Sequence, residues 1–154
     1  MRNLIFVITL CLPVVCFGQL NGRAMICDGL DGNERVKTYQ FGNDSVTQKF
    51  VFRKGDSFAI GEEDAIRYSV SATEVTWNDI ELLSISGEYK IGDTTLILSR
   101  KTGILVETAN EYPSHLRRYE CQIFADLDSY YSELERMRDS LQEIYDKERE
   151  GNLL

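Results

Sequence analysis

The stretch GEYKIGDTTLILSRKTG, residues 87–103, alternates β-forming residues with small polar ones, and its reading sets the fold. Tyr89 and Ile91 face one way, Gly92 and Asp93 turn the chain, and Leu96 and Leu98 continue the apolar face. A second turn follows at Arg100, Lys101, Thr102 and Gly103. Its two basic residues stand at a loop tip, where the ordinary role of charge is solvation. The stretch reads as an element of a β wall.

The same alternation extends on both sides, from Arg23 to about Phe124. ERVKTYQF (34–41) puts Tyr39 and Phe41 in phase and Val36 out of it, VTQKFVF (46–52) aligns Val46, Phe50 and Phe52, and GND between them signals a hairpin. IRYSV (66–70) aligns Ile66, Tyr68 and Val70, and TEVTW (73–77) aligns Val75 and Trp77. SFAI, IELLSIS, EYKI, TTLILS, ILVET and RRYECQIF supply further segments. Short strands at such spacing predict a mainly β domain over 19–125, a small antiparallel β-barrel, meander or sandwich rather than βαβ units.

The first residues are of another kind. Arg2 precedes an apolar run from Leu4 to Phe17, with Gly18 before Gln19 and Cys16 at the minus-three position; this is the pattern of a secretory signal peptide over 1–18. The run is shorter than the ~20 residues a spanning helix needs, so no stable membrane anchor is expected after cleavage. Cys11 and Cys16 follow Leu10 and Val15, unlike a lipidated cysteine with its small preceding residue. Cleavage leaves Cys27 and Cys121 of the 4 cysteines. In an oxidising compartment they read most simply as one disulfide, closing a long loop for about 4–5 kcal/mol. Two free buried thiols or a shared metal site are the alternatives, the latter poorly served by a single histidine, His115. In a barrel the bridge would lock first strand to last.

The mature chain keeps 16 basic and 25 acidic residues, a formal charge of −9. Nucleic acid and anionic lipid both need a positive face and are poor partners, so no nucleic acid is expected, whereas a cationic partner is admitted.

After Ala125 the composition turns helical. Residues 126–150 lack proline and glycine, and Asp126 or Asp128 is placed to cap the start; 151–154 form a tail. Leu127, Tyr130, Leu134, Met137, Leu141 and Ile144 recur at three and four, a heptad stripe too short to prove a coiled coil. The stripe either docks on the barrel or pairs with itself or another protein, which makes Leu134, Met137, Leu141 and Ile144 candidate interaction residues.

No catalytic set is legible. His115 lies beside a proline in NEYPSHLRRY, read as an exposed loop, and no nucleophile motif accompanies it. DGLDGNE (28–34) lacks the spacing and final glutamate of a calcium loop and reads as a hairpin turn; GEED (61–64) reads as an acidic turn. NDS at Asn43 is a glycosylation triplet only in a eukaryotic pathway, and the signal segment has bacterial character. Tyr68, Trp77 and Tyr89 are candidates to line a cavity, but core filling is the stronger reading in a small barrel. No metal site and no cofactor are expected.

LNGRAMICDG after a signal segment, TYQFGNDSVTQKF, VTW, TLILSRKTGIL, YECQIF and a charged terminal helix resemble a group of small secreted proteobacterial proteins of unknown function. The resemblance covers nearly the whole mature chain and implies a secreted β-fold with no assigned activity. SGEYKI (86–91) resembles, more weakly, the SG-x-x-Y loop of bacterial inhibitors of c-type lysozyme, with the tyrosine one residue early and Trp77 before rather than after the motif. That resemblance would give Ser86 and Tyr89 the inhibitory contact. The sequence therefore leads to a secreted or periplasmic, non-enzymatic binding module with an envelope or extracellular protein partner, and alternatively to an inhibitor of a lysozyme-like hydrolase.

Overall fold

Gly92 and Asp93 do not turn the chain. In the computed structural model, which describes residues 20–32, 35–85 and 88–151, Glu88–Ser99 is one 12-residue strand paired along its length with another, Glu74–Ile85. Gly92 stands opposite Glu81, and a Cβ there would come within 2.8 Å of Leu83 Cδ1; the glycine makes room for a fully buried leucine. Without a reversal, Ile91 falls on the face opposite Leu96 and Leu98, so it is 76% exposed while both leucines are buried. TEVTW and the described part of IELLSIS thus belong to a single strand, Glu74–Ile85, as EYKI and TTLILS belong to Glu88–Ser99. The turn at 100–103 is present: Gly103, at φ 71°, donates its N–H to the Ser99 carbonyl. The expected signal segment, Ser86 and residues 152–154 of the tail lie outside the described residues.

The described strands are β1 (Ala24–Gly29), β2 (Val36–Phe41), β3 (Ser45–Lys54), β4 (Ser57–Glu62), β5 (Ile66–Val70), β6 (Glu74–Ile85), β7 (Glu88–Ser99), β8 (Ile104–Ala109) and β9 (Tyr112–Phe124). Every pairing is antiparallel. β4 and β5 lie end to end along β3, with Lys49 opposite Glu62 and Val46 opposite Ile66. GEED is therefore a break within one long strand rather than a reversal. Counted so, eight strands run up and down and close where β1 meets β9. Cys27 and Cys121 are direct partners across that closure and are disulfide-bonded.

His115 also departs from expectation, since it lies within β9 and is half-buried. Pairing with β8 jumps there, from Thr108↔Leu116 to Ala109↔Tyr112. The irregularity accommodates Pro113, which has no N–H to give a ladder.

Leu127–Gly151 forms helix α1, capped by Asp126, whose Oδ1 accepts the Ser129 N–H at 2.8 Å. The first half of its stripe docks: Tyr130 and Leu134 are fully buried against Ala24 and Ile26 on the outer face of β1, with Ile60 and Phe124 beside them. Further along, Gln142 serves the β3–β4 hairpin as a strand edge would. Its Oε1 accepts the Phe58 N–H at 3.0 Å, and its Nε2 donates to the Asp56 carbonyl at 3.1 Å.

Candidate binding site in the barrel interior

The inward face of each strand follows from the alternation, and along the barrel it changes from apolar to charged. On β6 the inward series is Val75, Trp77, Asp79, Glu81; on β2, read backwards, it is Phe41, Tyr39, Lys37; on β8, Leu105 and then Glu107. One half holds Met25, Phe41, Val46, Val75, Leu98 and Leu105 as an ordinary core. Tyr39 and Trp77 form the boundary between halves, edge to face with ring centres 5.1 Å apart.

Beyond that boundary the interior is ionic. Glu107, fully buried, receives three groups: Lys37 Nζ at 3.0 Å, Arg117 at 3.2 Å and the Tyr119 hydroxyl, which donates at 2.8 Å. Lys37 also pairs with Glu81 from the far side of the barrel. Burial alone would raise the Glu107 carboxyl, but the Lys37 charge and the hydrogen bonds from Lys37 and Tyr119 reverse this and hold it below the usual range. Burial lowers Lys37 despite its carboxylate neighbours. The Tyr39 phenol is pushed well up, first by burial and then by the charges of Asp79 and Glu107.

Polar atoms in this interior remain without partners. The Tyr39 hydroxyl, Trp77 Nε1, Gln48 Oε1 and His115 Nε2 are buried with no hydrogen-bond partner among the described residues. Tyr39 is 1% exposed and Trp77 2%. Burial, and then the Arg117 charge, lower the His115 imidazole. A buried hydroxyl or indole N–H left alone costs about 1–3 kcal/mol, so such atoms ordinarily meet water or a ligand.

The wall opens beside this half. β5 and β6 pair only from Tyr68↔Trp77 to Val70↔Val75. Past that point β4 follows β3 toward the helix while β6 continues with β7. A cleft of about 440 Å³ fills the gap, lined by Glu63, Asp64 and Ile66 on one side and by Asp79, Ile80 and Asp93 on the other. Asp79, at its floor, also acts electrostatically on Lys37 and Tyr39.

Of the residues singled out from sequence, Trp77 and Tyr68 serve the core and its margin. Tyr89 lies in β7 opposite Ser84. Leu134 is buried under α1, Met137 packs beside it, and Leu141 and Ile144 are 38% and 52% exposed. Sequence reading missed Lys37, Asp79, Glu81, Glu107 and Arg117. The signal was there: Lys37 is in phase with Tyr39 and Phe41, Asp79 with Val75 and Trp77, and Glu107 with Leu105 and Ala109. Charges on three separate strands break the apolar phase in the same direction.

Among the described residues, no group of three or more His, Cys, Asp or Glu is arranged to hold a metal ion, and no helix is long and apolar enough to cross a membrane. Comparison of the chain with protein-family models, with curated proteins and with solved structures finds no match.

Proposed function

We propose that this protein is a secreted or periplasmic, non-enzymatic binding module that takes a small polar ligand into the charged half of its barrel. The observation that carries the reading is the set of buried, unpartnered polar atoms headed by the Tyr39 hydroxyl and Trp77 Nε1. An eight-stranded barrel has an interior that side chains fill or that one small ligand shares with them. Here apolar side chains pack one half, and the other half carries fixed charges and unmet donors and acceptors, the composition of a specific polar site. The disulfide is compatible with an oxidising location, in keeping with the signal-like first 18 residues.

Trp77 is the only tryptophan and stands at the boundary of the site, so its emission reports occupancy. Small-molecule fractions from the host envelope and medium, titrated into the mature protein, are expected to shift that emission and raise the melting temperature together. A ligand at a hundredfold its Kd adds about 2.7 kcal/mol. Fractions that change neither quantity, with crystals showing only water around Tyr39, would end the reading.

Inhibition of a lysozyme-like hydrolase is the second reading. It draws on the outer face of the β6–β7 hairpin, where Ile80 and Ile91 are 67% and 76% exposed beside acidic Asp93. A lysis assay with the folded protein tests it, and undiminished lysis at saturating protein removes it.

A further inference from the structure

β6 outruns its neighbour on one side. It pairs with β7 from Glu74↔Ser99 to Ile85↔Glu88, whereas its pairing with β5 ends at Tyr68↔Trp77. Residues 78–85 therefore have a strand on one side only among the described residues. Alternation sets which backbone groups face the missing side. The Glu74 and Thr76 carbonyls accept bonds from Ser71 and Ser69 on the β5 side, and the Asp79 carbonyl accepts one from Thr94 on the β7 side. Even-numbered residues thus turn their N–H and C=O away from β7, and at Ile80, Leu82 and Ser84 these groups face the side opening. The Ile80 N–H goes to the Asp79 side chain, at 2.8 Å from Oδ1, a local substitute for a ladder bond.

The edge of β4 is treated differently: its Phe58 N–H is taken by Gln142, so α1 serves it. Over residues 78–85 β6 has neither lysine nor proline to blunt pairing. Ile80 is 67% exposed there, with Ile91 of β7 diagonally across at 76%. The inward charges of the edge are acids, Asp79 and Glu81, and Glu63 and Asp64 line the opposite wall of an opening with no basic residue in its lining. Inward acids repel a strand that carries acids and accept one that carries bases. A second copy of this chain would set the same acids against themselves.

The geometry points to β6 as an acceptor for strand addition: an extended, basic segment of another polypeptide lies along residues 78–85 and pairs with the backbone of Ile80, Leu82 and Ser84. Its lysine or arginine side chains turn inward to Asp79 and Glu63, and its apolar ones turn outward over Ile80. Main-chain bonds supply the affinity of such a complex, and alternate side chains supply its specificity. Adjacent strands place neighbouring side chains on one face, so the required pattern is an alternation of basic and apolar residues. The inference rests on neither reading above.

The test measures fluorescence anisotropy of a short labelled peptide of alternating lysine and valine, blocked at both ends, with the chain from Gln19 onward. Two controls keep its length: one replaces lysine by glutamate, and the other methylates the valine nitrogens, removing the donors turned toward β6 while keeping the charge. Each control is expected to bind at least about tenfold more weakly than the parent peptide. Ile80→Pro is expected to weaken the parent peptide by at least about tenfold as well, since it removes an N–H that faces the opening and not one that serves β7. Amide exchange at Leu82 and Ser84 should slow when the peptide binds. Circular dichroism accompanies the variant, and the methylated peptide with the unaltered protein keeps the test decisive if Ile80→Pro does not fold. Equal binding of the parent and methylated peptides reduces the contact to charge alone and overturns strand addition. Tighter binding of the glutamate peptide overturns the basic partner, and no binding of any peptide overturns both. A dimer of the free protein that Ile80→Pro dissociates gives the edge to a second copy and overturns the proposal too.

Discussion

Glu107 illustrates how one side chain ties the charged half together. It is fully buried and joined to Lys37, Arg117 and Tyr119, so Glu107→Ala takes the carboxylate from Arg117 and leaves Lys37 with Glu81 alone. Breaking one side of such a pair costs about 3 kcal/mol or more, readable as a fall in the urea midpoint. The exposed pair between Lys49 and Glu62 has water as an alternative partner, so Glu62→Ala should leave that midpoint nearly unmoved. Acid provides a second reading of the same residue. A carboxyl held below its unfolded value of about 4.3 contributes stability that is present above that pH and lost as pH falls through the folded value. Stability measured between about pH 6 and pH 2 should therefore fall more steeply with acid for the wild type than for Glu107→Gln. Identical slopes for the two proteins would mean that Glu107 is not held in its charged form by the cluster.

At the scale of elements, α1 is held in two ways, by buried side chains near its start and by polar and aromatic contacts to the β3–β4 hairpin further along. A heptad stripe drifts about 20° per heptad on a straight helix, and the docked positions follow the helix rather than the stripe. Tyr130 and Leu134 are buried, Gln142 bonds the β3–β4 hairpin, and Tyr145 meets Phe58 with ring centres 6.1 Å apart. Ile144 has by then rotated outward and is 52% exposed. Leu134→Ala is expected to lower stability by about 2–5 kcal/mol, the range for truncating a fully buried leucine. Ile144→Asp is expected to change it by no more than about 0.5 kcal/mol. Thermal melts check both, and sedimentation of Ile144→Asp separates the two roles left open by the stripe. Loss of a dimer without loss of stability would give the outer end of the helix to assembly. Within the sheet, Gly92→Val should destabilise by about 1–3 kcal/mol, since even its first carbon collides with Leu83. The elements themselves were legible wherever a local rule acts alone: Asp126 before a glycine-free run, GND between alternating strands, and Cys27 and Cys121 as the two cysteines beyond the apolar first residues. Legibility failed at Gly92, whose reason lies on the neighbouring strand, and at Lys37, Asp79 and Glu107, which become neighbours only when strands distant in sequence curve toward one interior.

For the whole molecule, the decisive event is the meeting of β1 and β9, because it turns a meander into a closed barrel and completes the half-charged interior at the same stroke. The other neighbouring strands are joined through turns or short connections, whereas Cys27 and Cys121 stand 94 residues apart in sequence. Folds dominated by such distant pairings fold slowly, since loop entropy is lost before contacts repay it. With the bridge intact the ends never separate, and the chain-entropy model assigns the tether about 4.7 kcal/mol for a loop of this order. If half of that closure is already made at the folding transition state, the oxidised chain should fold about fiftyfold faster than the reduced one and unfold more slowly by a comparable factor. Stopped-flow refolding monitored at Trp77, with oxidised protein and with a Cys27→Ala/Cys121→Ala variant, measures this directly. Equal refolding rates with faster unfolding of the variant would place barrel closure after the transition state. In that case the β6–β7 and β7–β8 hairpins, whose pairings are local, would be the natural nucleus, and the charged interior would be the last part of the molecule to form.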